Sequence, residues 1–258
     1  MRLALLTDFG TVDPYVAVMK GVIASRTDAA VHDLTHDIPP FDVFGAAWFL
    51  TTAAPWWPDT IFVCVVDPGV GTSRKIVAME KGAQILLAPD NGLLTMINGP
   101  SRAVSVENEA LFLPNGSATF HGRDRFAPVA AALANGIPLN ELGPPLTQLE
   151  RLDYEPPSYG DASVCGTIVS VDRFGNCITD LEAARIASPR FALHAGEHVI
   201  TRSSRTYGEA CDGPFVITGS TGHLEISAAN ASAAILLTLR RGDRVRVTPV
   251  SALSPWIL

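Results

Sequence analysis

Ile61-Phe62-Val63-Cys64-Val65-Val66-Asp67-Pro68-Gly69 is the stretch on which the fold turns. Six consecutive apolar or β-branched residues that stop abruptly at a carboxylate and a Pro-Gly turn mark a buried strand. Working outward, residues 2–6 form a second such run, ending at Thr7-Asp8-Phe9-Gly10. Between the two, Val16, Met19, Lys20 and Ile23 recur at three- and four-residue steps, which predicts a helix over 15–26. Residues 29–34 read as a strand, 43–54 as a helix, 76–79 and 85–88 as strands, and 124–134 as a helix. Strands alternating with helices predict an α/β domain with a mostly parallel sheet, whose ligands lie beyond the carboxyl ends of the strands. Asp8 and Asp67 both stand at such ends.

The texture changes over residues 136–160, where Pro138, Pro144, Pro145, Pro156, Pro157 and Gly160 make a stiff, non-helical connection. Beyond it come short strands, at 166–171, 215–218, 224–227, 234–239 and 244–250, separated by Gly, Asn and Asp turns. The expectation is an α/β fold class in two domains: an amino-terminal α/β domain over 1–155 and a smaller carboxy-terminal β-barrel domain over 156–258.

The 258 residues are 47% hydrophobic and 17% charged, which excludes a disordered chain. Nineteen Lys and Arg against 26 Asp and Glu leave a net charge of −7. Without a basic surplus to neutralise phosphates, nucleic acid is not an expected partner. No run reaches the roughly 18 apolar residues of a membrane span, and residues 1–6 are too short for a signal-peptide core, so a cytoplasmic protein without membrane contact is expected. Cys64, Cys165, Cys177 and Cys211 form no C-x-x-C pair and read as reduced, mostly buried thiols.

Four clusters concentrate groups able to do chemistry. In the first, Asp8 after a strand can accept hydrogen bonds from a ribose diol, and Asp13 can hold an ammonium or, on its own merits, cap the following helix. In the second, Asp67 and Arg74 flank the loop Pro68-Gly69-Val70-Gly71-Thr72-Ser73; they either meet across it or leave the arginine on the surface. The glycine spacing is neither a P-loop nor a dinucleotide fingerprint. In the third, Thr119-Phe120-His121-Gly122-Arg123-Asp124 opens a helix with an imidazole between charged neighbours, which move its titration. The fourth, Asp172-Arg173-Phe174-Gly175-Asn176, is a hairpin turn or a mount for an Asn amide facing the edge of a base. His32 and His36, four residues apart beside Asp33 and Asp37, have a spacing that can bind zinc on a helix, but the segment reads as strand then loop.

Taken in order, these clusters resemble the S-adenosyl-L-methionine (SAM) hydroxide adenosyltransferases, the adenosine-forming SAM hydrolases related to fluorinases and chlorinases. The similarity runs through Asp13-x-Tyr15-Val16, Lys20-Gly21, His36-Asp37-Ile38-Pro39-Pro40, Asp67-Pro68-Gly69-Val70-Gly71, Asp90-Asn91-Gly92-Leu93-Leu94 and Phe120-His121-Gly122-Arg123-Asp124. It extends to Asp172-Arg173-Phe174-Gly175-Asn176 and, more loosely, to Ser220-Thr221-Gly222-His223-Leu224-Glu225-Ile226.

The resemblance implies a homotrimer with the ligand held at subunit interfaces, between the amino-terminal domain of one subunit and the carboxy-terminal domain of the next. It implies that Asp67, Arg74 and His121 handle a nucleophilic water and that Asp8 binds ribose. Asp13 and Asp172 then lie near the methionine ammonium, Asn176 reads adenine, Ser220 meets the methionine carboxylate, and Phe41 and Phe120 line the pocket. No metal and no cofactor is implied, since SAM is the substrate. Halogenases replace the charged trio with uncharged residues; a carboxylate at 67 repels a halide, which favours water as nucleophile. Thr221 and Ala228 stand where fluorinases carry Arg. The sulfonium is already a good leaving group, so the reaction needs an oxygen nucleophile in line behind C5′, with His121 or Asp67 accepting its proton. The competing readings are a SAM- or adenosine-binding regulator without turnover, and a metal-dependent hydrolase using Asp8, His32, His36 and Asp67.

Overall fold

The apolar run at residues 3–6 is fully buried in the computed structural model, inside a seven-stranded sheet. The residues described are 1–99, 101–210 and 212–250, so Cys211 lies outside them. The chain divides into two units, Met1–Asp153 and Tyr154–Leu258.

In the first unit the elements are β1 (Arg2–Thr7), α1 (Tyr15–Ala24), β2 (Val31–Thr35), α2 (Val43–Ala53), β3 (Thr60–Val65), β4 (Ile76–Lys81), β5 (Gln84–Pro89), β6 (Arg102–Ser105), α3 (Ala127–Ala134) and β7 (Pro145–Leu146). The strand order is β2-β1-β3-β5-β4-β6-β7. The continuous apolar runs follow from burial on both faces, because successive side chains of a strand point to opposite sides. Ile61, Val63 and Val65 enter one core with Met19 and Ile23 of α1 and Val129 of α3. Phe62, Cys64 and Val66 enter the other with Ala46 and Leu50 of α2. Each large side chain so buried contributes about 1.5–3 kcal/mol.

The sheet is mixed, which corrects the expectation of a mostly parallel one. β1 runs parallel to β2 and β3, and β3 parallel to β5. β4 runs antiparallel to β5 and β6, and β6 antiparallel to β7. Only Gly82 and Ala83 separate β4 from β5, with Lys81 opposite Gln84. Two residues close a hairpin, whereas a parallel return needs a crossover of about a dozen or more. The parallel half nevertheless holds β1 and β3 side by side, so their ends share one edge. The predicted helix over 124–134 is also corrected: a single π turn, Gly122–Phe126, precedes α3.

The second unit contains β8 (Ser158–Tyr159), β9 (Val164–Val171), β10 (Cys177–Glu182), β11 (Phe191–Ala195), β12 (His198–Ile200), β13 (Pro214–Thr218), β14 (His223–Ala228), α4 (Ala233–Leu236) and β15 (Arg244–Pro249). Its eight strands form a barrel-like sheet ordered β12-β11-β15-β9-β10-β14-β13, with β8 on β9. The sheet nearly closes, because the Val216 N–H of β13 donates to Arg202 O (2.8 Å) and Val216 O accepts from Ser204 N–H (3.0 Å), just beyond β12. The strand expected over 234–239 is instead the short helix α4. Ser232 caps it, its Oγ accepting from the Ile235 N–H at 3.2 Å, and a Ser cap favours a helical turn over an extended run. β10, β11 and β12 are short and interrupted by polar side chains, and they give little apolar signal in the sequence.

Candidate active site

Thr7 pairs with Val65 across β1 and β3, so the chain leaves both strands at one edge, carrying Asp8 from the first and Asp67 from the second. Asn91, just past β5, braces this edge by donating from Nδ2 to Val66 O at 2.9 Å. Asp67 and Arg74 do meet across their loop, and the surface alternative for the arginine is overturned. Arg74 Nε donates to Asp67 Oδ1 at 2.8 Å, and Nη2 donates to Asp67 Oδ2. The two side chains are only 5% and 9% exposed, which shields the pair from solvent screening.

Arg74 Nη2 also lies 2.8 Å from His121 Nδ1. A guanidinium has donors only, so Nδ1 must be the acceptor and the ring proton resides on Nε2. Burial lowers the His121 pKa, and the charges of Arg125 and Arg74 push the same way. The imidazole, in a residue 3% exposed, is therefore neutral near pH 7. Arg74 Nη1 is buried and has no hydrogen-bond partner among the described residues. An unmet buried donor on a cation is a cradle for an oxygen ligand.

His121 precedes the π turn, a distortion frequent at functional sites. Beside it the Phe120 ring meets Tyr15 and Phe9 edge-on, with centroids 5.2 and 5.9 Å away. A Cβ on Gly122 would stand 3.0 Å from the Phe120 ring and 3.1 Å from Met19 Sδ, so any larger residue must push these side chains back by a few tenths of an ångström. Asp124 is buried and serves the loop, its Oδ2 accepting from Ser117 N–H at 2.7 Å and from Arg123 Nη2 at 2.9 Å.

Asp8 Oδ2 accepts from the Phe41 N–H at 2.8 Å. Phe41 is 71% exposed and sits at φ 68, a strained setting for a bulky residue of the kind concentrated at ligand sites. Asp13 is exposed and does not cap α1: Pro14 stands at the N-cap with no side-chain cap bond, which corrects the capping reading. His32 and His36 take separate partners, His32 the Trp57 ring (5.4 Å between centroids) and His36 the Thr7 hydroxyl. Among the described residues no three His, Cys, Asp or Glu side chains are grouped to hold a metal.

In the second unit, Asp172 both builds the turn and presents the asparagine. Its Oδ1 accepts from the N–H groups of Phe174 and Asn176, and its Oδ2 from Asn176 Nδ2, each at 2.9 Å. Gly175 is at φ +83, and a Cβ there would fall 2.0 Å from Ser232 Oγ. A cleft of about 820 Å³ opens here, lined by Asp172, Phe174, Asn176, Tyr207, Asn230 and Ser232 among others. Tyr207, which sequence reasoning missed, donates from its hydroxyl to Glu225 Oε2 at 2.9 Å. Burial pushes the Glu225 carboxyl up, against that hydrogen bond. Ser220 is exposed on the turn between β13 and β14 and is not among the residues lining this cleft.

Comparison with known proteins matches residues 3–143 to the SAM hydroxide adenosyltransferase N-terminal domain and residues 166–246 to the C-terminal domain of the same family. A curated relative from Thermus thermophilus, (R)-S-adenosyl-L-methionine hydrolase, is 42% identical over 94% of this chain and 97% of its own. A hydrolase of the same name from Methanocaldococcus jannaschii is 31% identical, covering 95% of each chain. A fluorinase from Actinopolyspora mzabensis is more distant at 27% identity, over 95% of this chain and 96% of its own. Among solved structures, a conserved protein from Thermotoga maritima superposes with a TM-score of 0.89 at 35% identity, covering 95% of this chain and 99% of that one. With both domain models matched in order and relatives above 30% identity spanning nearly its whole length, the chain belongs to the SAM hydroxide adenosyltransferase family.

Proposed function

We propose that this chain hydrolyses SAM to adenosine and L-methionine by in-line attack of water on C5′. The observation that carries the reading is the buried Asp67–Arg74–His121 chain, whose guanidinium Nη1 has no partner among the described residues. Arg74 favours an oxygen anion by charge and by that free donor. The proton passes to Asp67. A His121 ring whose Nδ1 accepts from Arg74 carries its proton on Nε2 and has no lone pair left, whereas each Asp67 oxygen retains one beyond its arginine bond. As the water oxygen bonds to C5′, the C5′–S bond breaks with its electron pair going to sulfur. Methionine leaves as a neutral thioether, and the water oxygen becomes the 5′-hydroxyl of adenosine. Attack cancels the sulfonium charge, so a desolvated pocket helps.

In the same proposal Asp8 grips the ribose diol through the carboxylate oxygen not engaged by Phe41, while Phe41 and Phe120 wall the pocket. Asp13 and Asp172 face the ammonium, Asn176 reads adenine, and Ser220 meets the methionine carboxylate. The assembly is a homotrimer with sites at subunit interfaces, without nucleic acid or membrane partners, and no cofactor takes part. A cytoplasmic location accords with the free thiols of Cys64, Cys165 and Cys177. No helix among the described residues is long and apolar enough to cross a membrane.

Incubating purified protein with SAM, with and without EDTA, and separating products by chromatography tests the reading. Adenosine formed equally in both supports it. Absence of product points to a binding protein, and loss of activity in EDTA points to a metal hydrolase.

A further inference from the structure

A polar chain outside the trio runs from α1 to the end of β1. Lys20 Nζ donates to Asp33 Oδ2 at 2.6 Å, and His36 Nε2 lies 2.9 Å from Asp33 Oδ1, off the straight N–H···O line. On the other side of the ring, His36 Nδ1 lies 2.8 Å from Thr7 Oγ1, which itself accepts from the Phe9 N–H at 3.3 Å. In a regular strand, residues three apart point to opposite faces. Here the β1–β2 register slips, with Leu5 opposite Asp33 but Leu6 opposite Thr35, and the extra residue lets Asp33 and His36 meet.

These residue types match a hydroxyl–imidazole–carboxylate triad, yet Thr7 is wholly buried, so its hydroxyl cannot reach a substrate. The chain instead fixes a loop. His36 holds it twice, through its ring to Thr7 and through its carbonyl, which accepts the Gly10 N–H at 2.8 Å. Asp8 lies between those two anchors and is tied in turn to Phe41. Asp33 is kept ionised: burial raises its pKa, but the Lys20 hydrogen bond and the nearby His36 ring outweigh that and lower it.

We propose that His36 is a positioning residue that sets the 7–10 loop, and with it the Asp8 carboxylate, for a nucleoside ribose. The proposal rests on the hydrolase reading and names a residue to which that reading gives no role. His36→Leu and Thr7→Val should each weaken adenosine binding, measured by calorimetry, and raise the KM for SAM by about tenfold, with kcat within about threefold. His36→Asn, whose amide oxygen can accept from Thr7, should recover most of that affinity. Thr7→Val, nearly isosteric, covers the case in which His36→Leu fails to fold. Unchanged adenosine affinity in the Leu and Val variants, an Asn variant no better than Leu, or kcat falling as far as affinity would each overturn the proposal. Wild-type protein that binds adenosine but leaves SAM intact would overturn the hydrolase reading alone, and the calorimetric comparison would still decide the role of His36. Wild-type protein that does not bind adenosine would overturn both.

Discussion

Asp67→Asn separates the chemistry of the trio from its architecture. The asparagine keeps one acceptor oxygen for Arg74 Nε, now 2.8 Å from Asp67 Oδ1, but turns an amide NH₂ toward Nη2, donor against donor. Nη2 retains His121 Nδ1, while the guanidinium charge loses its buried counter-ion. Breaking a buried pair from one side costs about 3–5 kcal/mol. In a chain of this size that lowers Tm by about 6–20 °C. Rates must therefore be measured well below the new midpoint, with folding checked by circular dichroism. Removing a general base costs about 10²–10⁴ in kcat, or about 3–5 kcal/mol of barrier. The groups proposed to hold SAM lie elsewhere, so KM should stay within about threefold. Adenosine release under steady-state conditions gives both parameters. A kcat loss below about tenfold, or a KM that rises as much as kcat falls, would refute the assignment of Asp67 as proton acceptor.

If His121 only accepts from Arg74, His121→Ala should cost less than Asp67→Asn, about tenfold in kcat, as expected for one charge-assisted hydrogen bond. The folded pKa of His121 lies below its ordinary 6.5, so its stabilising contribution is complete above pH 6.5 and is lost as pH falls through the folded value. Protonation puts a donor against Arg74, and wild-type kcat should fall over the same acid range while the alanine variant lacks that limb; identical profiles would count against it. Asp8→Ala should raise the KM for SAM by about tenfold or more, since one ribose grip and the Phe41 tether go together; an unchanged KM would remove Asp8 from the ribose site. Gly122→Ala brings a methyl to 3.0 Å from the Phe120 ring, which must give by a few tenths of an ångström; a fall in Tm is expected, and an unchanged or raised Tm would show that the ring yields freely.

Much of the first unit was legible in the order of residues because its strands are buried on both faces. Such strands must be apolar where they are buried, and residues 61–66 and 3–6 announce themselves. Their ends are legible for the same reason: the first charged residue after a buried run marks the sheet edge, which places Asp8 and Asp67. The antiparallel half was missed: strands placed at 76–79 and 85–88 leave only five residues between them, too few for the crossover a parallel pair needs, and that length was the one signal. In the second unit, β10 buries Thr179 and Asp180 among its apolar residues, and polar side chains inside a buried strand leave no clean pattern. Tyr207 could not be found at all, because its hydroxyl meets Glu225 from a separate segment.

The sequence by itself determined the two-part organisation expected of the chain, the strand ends that carry carboxylates, and the inventory of groups proposed to activate water. Periodicity and turn chemistry are local properties, and a single pass along the chain reads them. Only the tertiary structure decided that Arg74 lies against both Asp67 and His121, which imidazole nitrogen holds the proton, and that His36 contacts Thr7 and Gly10 at the two ends of the loop of Asp8. Those outcomes depend on distances between residues 7 to 47 positions apart, and on burial, which turns a mobile surface cation into a fixed and incompletely paired one.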